Sequence, residues 1–299
     1  MKKQALNYLE SLHVKPEKKI SLKKDYKTSS NQKFISKKEG QELLEEGILN
    51  LAKMQDKLYA HDEHSVLIVL QAMDAAGKDG AIKHVMSGLN PQGVRVASFK
   101  APTTHELDHD YFWRHYKELP ARGEVGIFNR SHYENVLVTR VHPEYLLREK
   151  LPKVDSVKDI DKKFWEMRYK QINRFEKNLV ENGTTILKIF LHVSKDEQKK
   201  RFLERIDNPE KNWKFSVADA QERKLWSEYQ KAYEEMLPAT STDYAPWFVV
   251  PADDKWFTRL IIGAIINLQF EKLKLSYPEV SKEQLAKLKA AKKELLAEK

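Results

Sequence analysis

The 299-residue sequence contains no cysteine. That excludes disulfide bonds and thiolate metal sites, and it suits a reducing compartment. No apolar run reaches the roughly 20 residues a helix needs to span a bilayer. The first 20 residues are polar and lysine-rich, without the apolar segment of a signal peptide. We therefore expect a cytoplasmic chain with no membrane partner. Also missing are a Gly-x-Ser-x-Gly element, a Ser-His-Asp arrangement, internal repeats and low-complexity linkers. Ten histidines are present, but none shows metal-ligand spacing. His105 and His109 are four apart on an expected helix and, lacking a suitably placed Glu, read as surface residues.

Apolar residues make up 41% of the chain, enough to bury a large core. The net charge of +9 points to a polyanionic partner. Its distribution qualifies this: residues 1–40 hold 11 Lys against four acidic residues. Most of the excess therefore sits in a basic N-terminal arm, residues 1–36, which lacks steady periodicity and is expected to be partly ordered against the body. A solvated arm explains the charge as well as a polyanion does.

Beyond the arm, strands and helices alternate. A helix is expected from Lys38 to Tyr59, with Leu43, Leu44, Ile48, Leu51, Met54 and Leu58 on one face. Apolar or alternating runs predict strands at Val66–Leu70, Val94–Phe99, Val125–Phe128, Thr185–Val193 and Trp247–Val250. Helices are expected at Glu106–Lys117, 161–182, after the Ser194/Glu197 cap pair, from Ser216 to about Met236, and from Trp256 to about Leu275. The last 20 residues carry Lys, Leu, Ala and Glu at helical spacing. Such alternation gives a parallel α/β sheet with right-handed crossovers, whose ligands bind beyond the carboxyl ends of the strands.

That rule selects the residues of interest. The first strand runs into Ala72-Met73-Asp74-Ala75-Ala76-Gly77-Lys78-Asp79-Gly80 and then a helix. Strand, glycine turn, lysine and helix is the layout of a phosphate-binding loop, which offers backbone N–H groups and a helix N-terminus to an anion. The pattern departs from the usual one: Ala72 replaces the first glycine and Asp79 replaces the hydroxyl residue. The third strand leads into Asn129-Arg130-Ser131-His132-Tyr133-Glu134. Asp74 and Glu134 would suit Mg²⁺, which takes one or two carboxylates, and Arg130 would brace phosphate oxygens. The same spacing suits a capping box in which Ser131 and Glu134 begin a helix. After the fourth strand, the window Lys199–Lys214 holds six basic and three acidic residues, with Arg201 and Arg205 on one helix face. It reads either as a basic lid or as a solvated face. An aromatic near Phe99 or Trp113 could stack on a base.

Together, Asp74-x-x-Gly77-Lys78-Asp79-Gly80, Asn129 to Glu134, and Arg201-Phe202-x-x-Arg205 with Pro209 to Lys214 resemble the family-2 polyphosphate kinases, over roughly residues 30–275. The resemblance implies a thymidylate-kinase-like P-loop fold in three layers, a five-stranded parallel sheet with helices on both faces and a helical lid. The domains expected are the arm, a kinase domain over 37–277 with its lid at about 195–216, and a C-terminal helix over 278–299. It further implies phosphoryl transfer between inorganic polyphosphate and AMP, ADP or ATP with Mg²⁺ as cofactor, and a homo-oligomer, dimer or tetramer. Nucleic acid is not an expected partner. By position, Asp74 and Glu134 correspond to metal-linked carboxylates, and Lys78, Asp79, Asn129 and Arg130 to phosphate-handling residues. Arg201, Arg205, Lys211 and Lys214 correspond to the lid. Gly77, Gly80, Lys100 and Arg114 are further candidates for substrate binding. Many relatives carry Asp and Asn where this chain has Asn129 and Glu134; the Asn/Glu form resembles the subgroup acting on both AMP and ADP. The alternatives are an ATP-dependent nucleotide or nucleoside kinase and a non-catalytic polyanion-binding protein.

Overall fold

A computed structural model describes residues 2–30 and 35–298. Five strands, β1 (Ser65–Ala72), β2 (Val94–Ser98), β3 (Val125–Asn129), β4 (Thr184–His192) and β5 (Trp247–Pro251), form one sheet in the order β2-β3-β1-β4-β5. All four pairings are parallel. β1 lies at the centre and all eight of its residues are buried. Its continuous run of Val, Leu and Ile is what a strand covered on both faces requires. Each such side chain taken from water contributes about 1.5–3 kcal/mol.

The helices are α1 (Lys2–Ser11), α2 (Leu22–Asp25), α3 (Lys37–His61), α4 (Lys78–Val85), α5 (Thr104–Leu107), α6 (Trp113–Tyr116) and α7 (Glu134–Val141), followed by α8 (Lys162–Glu181), α9 (Lys195–Asp207), α10 (Val217–Glu222), α11 (Trp226–Thr240), α12 (Lys255–Lys272) and α13 (Lys282–Ala297). α3 and α4 pack against α12, and α8 and α7 against α11. α3 begins with a full capping box between Ser36 and Glu39. Every residue of α13 whose side chain is described is exposed.

Three expectations change. The single helix expected from Glu106 to Lys117 is two short ones, because the Asp110 carboxylate accepts the Phe112 N–H and turns the chain between them. The helix expected from Ser216 to Met236 is interrupted by a 3₁₀ turn at Arg223–Leu225, and the second part runs on to Thr240. The arm expected to be partly ordered is docked over more of its length than that. Leu9, Leu12, Val14 and Leu22 are buried. The Val14 N–H donates to the Trp247 carbonyl and the Val249 N–H to the Leu12 carbonyl, so this segment lies antiparallel along the free edge of β5. Farther on, the Asp253 N–H donates to the Thr28 carbonyl, and the Ser30 N–H and hydroxyl both reach Asp254. The segment is thus a strap on the body, and Lys15, Lys18, Lys19, Lys23, Lys24 and Lys27 are exposed on it. Residues 31–34 of the expected arm lie outside the described residues.

Candidate active site

The carboxyl ends of β1, β2 and β3 open onto a cleft of about 550 Å³. The loop from Asp74 to Gly80 forms one wall, Lys100, Asn129 and Arg130 another, and Arg205, Lys211 and Lys214 face them. Gly77, at φ 110°, sits in a conformation that L side chains avoid and so turns the loop into α4. Lys78 follows at once and its ammonium donates to the Ala72 carbonyl at 3.1 Å. Burial lowers the Lys78 pKa, against the opposing pull of Asp74. Asp79 accepts a hydrogen bond from Asn129 Nδ2 at 2.8 Å.

Arg130 is held at φ 63°, a strained conformation for a residue with a Cβ. Its Nη2 lies 3.1 Å from Asp74 Oδ1. Burial works against its charge, but Glu134 and Asp74 outweigh this and raise its pKa. Glu134 is the reverse case: burial raises its pKa although Arg130 and Lys78 oppose that. Lys78 and Glu134 therefore act on each other's charge inside one cluster of two acids and two bases.

The capping-box reading of Ser131 and Glu134 does not hold. α7 starts without a side-chain cap, and Ser131 Oγ instead accepts from the Tyr133 N–H and from Gln71. The Glu134 carboxylate is left to line a cavity of about 260 Å³ shared with Asp74 and Arg130. On its other side Glu134 lines a cavity of about 190 Å³ with Phe99, Lys100, Pro102, Tyr111, Arg114, Val138 and Tyr145. Arg114 packs its guanidinium over the Phe99 ring at 5.2 Å and donates to the Lys100 carbonyl at 2.8 Å. Burial lowers the Arg114 pKa, with Glu106 opposing.

Every catalytic, metal or substrate-binding candidate from the sequence borders the main cleft or one of these adjoining cavities, whereas Trp113 borders none of them. Arg201 differs in kind from the rest. It is buried, and its Nε and both terminal nitrogens donate to Glu197 and to the carbonyls of Ala75, Ala76, Ala252 and Asp253. A guanidinium has five N–H donors, and all five are engaged. Arg201 is thus a brace under the phosphate loop and not a free cation of the lid. At Gly80, by contrast, a Cβ would meet nothing within 4 Å.

Sequence reasoning passed over Asp219, Trp213 and Lys255, which also border the cleft. Asp219 completes the capping box of α10 with Ser216. It also feels the field of Asp74: burial first, and then that neighbouring charge, raises its pKa. Trp213 is 78% exposed, and Lys214 Nζ lies 4.9 Å from its ring centroid. Neither aromatic proposed for base stacking is free to slide onto a base: Phe99 packs on His115 and Phe128, and Trp113 stacks on His109.

For a divalent cation, Asp74 and Glu134 supply hard oxygen donors on one cavity wall, the donor set Mg²⁺ takes. Burial of Glu134 leaves its charge under-solvated, a condition a cation relieves. The residues fit such an ion. Among the described residues, the one grouping of three His, Cys, Asp or Glu side chains with metal-ligand proximity is His61, Glu63 and His64. It precedes β1 and so lies at the far end of the sheet.

Comparison with known proteins decides the family. The sequence profile of "Polyphosphate kinase 2 (PPK2)" matches residues 34–278, most of the chain. The chain belongs to the polyphosphate kinase 2 family. An ADP-polyphosphate phosphotransferase of Rhodopseudomonas palustris is 51% identical over 263 residues, covering 88% of this chain and 90% of that one. An AMP/ADP-polyphosphate phosphotransferase of Meiothermus ruber is 50% identical over 229 residues, covering 77% and 80%. The crystal structure of polyphosphate kinase 2 from Arthrobacter aurescens superposes with a TM-score of 0.78 at 37% identity, covering 94% of this chain and all of the other. The P-loop kinase fold implied by the sequence is thereby established for this polyphosphate kinase 2 family member.

Proposed function

We propose that the protein transfers the terminal phosphoryl group of inorganic polyphosphate to ADP, giving ATP, and to AMP, giving ADP, and that it also runs in reverse. The observation that carries this is the convergence of Lys78, Arg130, Arg205, Lys211 and Lys214 on one cleft that opens into a second, largely apolar cavity. The long basic cleft suits two strings of phosphates end to end. The smaller cavity, joined to it at Phe99, Lys100 and Arg130, suits a nucleoside.

Phosphoryl transfer asks for in-line placement and for positive charge around the moving group, and no protein nucleophile is needed. In this reading Lys78 and Arg130 hold the oxygens of the transferring group. The terminal P–O bond of the polyphosphate breaks as a bond forms to the acceptor's phosphate oxygen. Lys211 and Lys214 bring charge from the lid and exclude water. Asp74 and Glu134 would hold Mg²⁺, which, when bound, neutralises phosphate charge.

The family resemblance supports a homo-oligomer, the resemblance together with the Asp74 and Glu134 carboxylates supports Mg²⁺ as the metal, and the lack of cysteine supports a cytoplasmic location. Among the described residues no helix is long and apolar enough to cross a membrane. The Asn129/Glu134 pair and the likeness to the Meiothermus ruber enzyme support action on both AMP and ADP. The test is purified protein with polyphosphate as sole donor, AMP or ADP as acceptor and Mg²⁺ present or chelated. ADP and ATP should form only with metal; absence of any nucleotide product overturns the proposal. Glu134→Asn should impair AMP phosphorylation more than ADP phosphorylation, and equal losses would remove the dual-acceptor reading.

A further inference from the structure

Beneath the turn that carries Arg130 and Glu134 lies a fully buried charged network with no access to the cleft's substrates. Lys188, on β4, and Glu176, on α8, are both completely inaccessible and form an ion pair. Lys188 also donates to the Tyr133 hydroxyl at 2.9 Å and to the Thr240 carbonyl at 2.6 Å. The Tyr133 hydroxyl donates in turn to Glu176 at 2.6 Å, and His132 Nε2 lies 3.3 Å from the same carboxylate oxygen. Burial alone would drive the Glu176 carboxyl upward, but Lys188 and His132 outweigh it and hold it below the usual carboxylate range.

A buried ion pair is a poor device for stability, because desolvation offsets most of its Coulombic gain and apolar replacements of similar volume are often neutral or stabilising. What this pair grips is more telling. His132 and Tyr133 are consecutive, fully buried, and stand between Arg130 and Glu134 in the chain. Arg130 holds a left-handed backbone conformation that relaxes unless its surroundings enforce it. Two side chains of the turn are thus rooted in the network, while of its flanking charged groups Arg130 faces the cleft and Glu134 the two adjoining cavities.

We propose that Lys188 and Glu176 are positioning residues for phosphoryl transfer: through Tyr133 and His132 they fix the turn that presents Arg130 and Glu134. The proposal rests on the assignment of those two residues to the active site. Neither Lys188 nor Glu176 touches substrate.

The sharpest test is Tyr133→Phe, which deletes one hydroxyl and keeps the ring. Turnover of ADP with polyphosphate is measured alongside KM for both substrates, the half-saturating Mg²⁺ concentration and Tm. We expect kcat to fall at least about fivefold and half-saturating Mg²⁺ to rise at least about threefold, because a catalytic geometry loosened by a fraction of an ångström loses rate. KM for polyphosphate should stay within about twofold, because the lid lysines do not move with the turn, and Tm within about 3 °C, because one hydroxyl is lost. A kcat and a Mg²⁺ response both within twofold of the parent overturn the proposal. The double variant Lys188→Met/Glu176→Leu should lose at least about tenfold in kcat while Tm holds or rises; a folded double variant with intact kcat overturns it too. Arg130→Ala serves as the reference. If Arg130→Ala is active, the site assignment itself fails. If it is inactive while Tyr133→Phe is normal, only the positioning role fails.

Discussion

Asn129 Nδ2 donates a 2.8 Å hydrogen bond to Asp79 Oδ1, tying the tip of β3 to the first turn of α4. Asp79 stands where an ordinary phosphate loop has a hydroxyl residue, and Asn129 is the partner that makes a carboxylate tolerable there. We expect Asn129→Asp, alone, to lower kcat at least about tenfold, since two adjacent carboxylates repel each other and the phosphates. A steady-state assay with polyphosphate and ADP checks this. Turnover equal to the parent's would show that the pair does not organise the loop.

Lys78→Ala and Arg130→Ala should each abolish turnover to below about a thousandth of the parent's, the scale of losing a preorganised charge at a transferring group. Circular dichroism and Tm should be near the parent's, because Lys78 makes one hydrogen bond to the protein, to Ala72, and Arg130 one ion pair, to Asp74. Near-normal rates in either variant would refute that residue's role.

Arg201→Ala should behave differently: both stability and activity fall. The change strands the carbonyls of Ala75, Ala76, Ala252 and Asp253 and leaves Glu197 only the 3.9 Å contact with Lys200. A loss of about 3 kcal/mol or more is expected from unsatisfied buried acceptors. Arg201→Lys should rescue little, since an ammonium has three donors and cannot span the same fork. Urea unfolding read beside kcat measures both. A stable, inactive Arg201→Ala would favour direct phosphate binding instead.

Stability should decline in mild acid. Burial pushes the His192 pKa down to about 4 from an ordinary 6.5. The folded state therefore holds His192 neutral where the unfolded chain is protonated. The sign follows: the stabilisation is complete above about pH 6.5 and is lost as pH falls toward 4, amounting to about 3 kcal/mol for this residue. His115 and His132 are displaced in the same direction by burial. Tm measured between pH 7.5 and 4.5 should drop steadily. His192→Asn should flatten the slope, and an unchanged slope would contradict the assignment.

The strands were legible because apolar residues dominate β1, β3 and β4, with Lys188 the one lysine among them. The site residues were legible because strand-end motifs are local in sequence. What could not be read was anything decided by partners distant in the chain. Arg201 looks like any basic helix residue until β1 and β5 bring four carbonyls to it. Ser131 and Glu134 have capping-box spacing, but Gln71 on the neighbouring strand and the Tyr133 N–H engage the Ser131 hydroxyl instead. Leu9, Leu12, Val14 and Leu22 are scattered among lysines with no period, because a strap that touches the body at a few points needs none.

That strap bears on how the protein can be cut. The family match begins at residue 34, yet β5 is bordered by the backbone of Leu12 to Val14. A fragment trimmed to the matched region would leave β5 with unpaired N–H and C=O groups, an invitation to edge-to-edge association. Size-exclusion chromatography of residues 34–278 against the full chain should show the fragment running as aggregates, and a monodisperse fragment of unchanged Tm would show the border to be dispensable. The stretch that matches the family and the stretch that covers the edge of β5 are different parts of the same polypeptide.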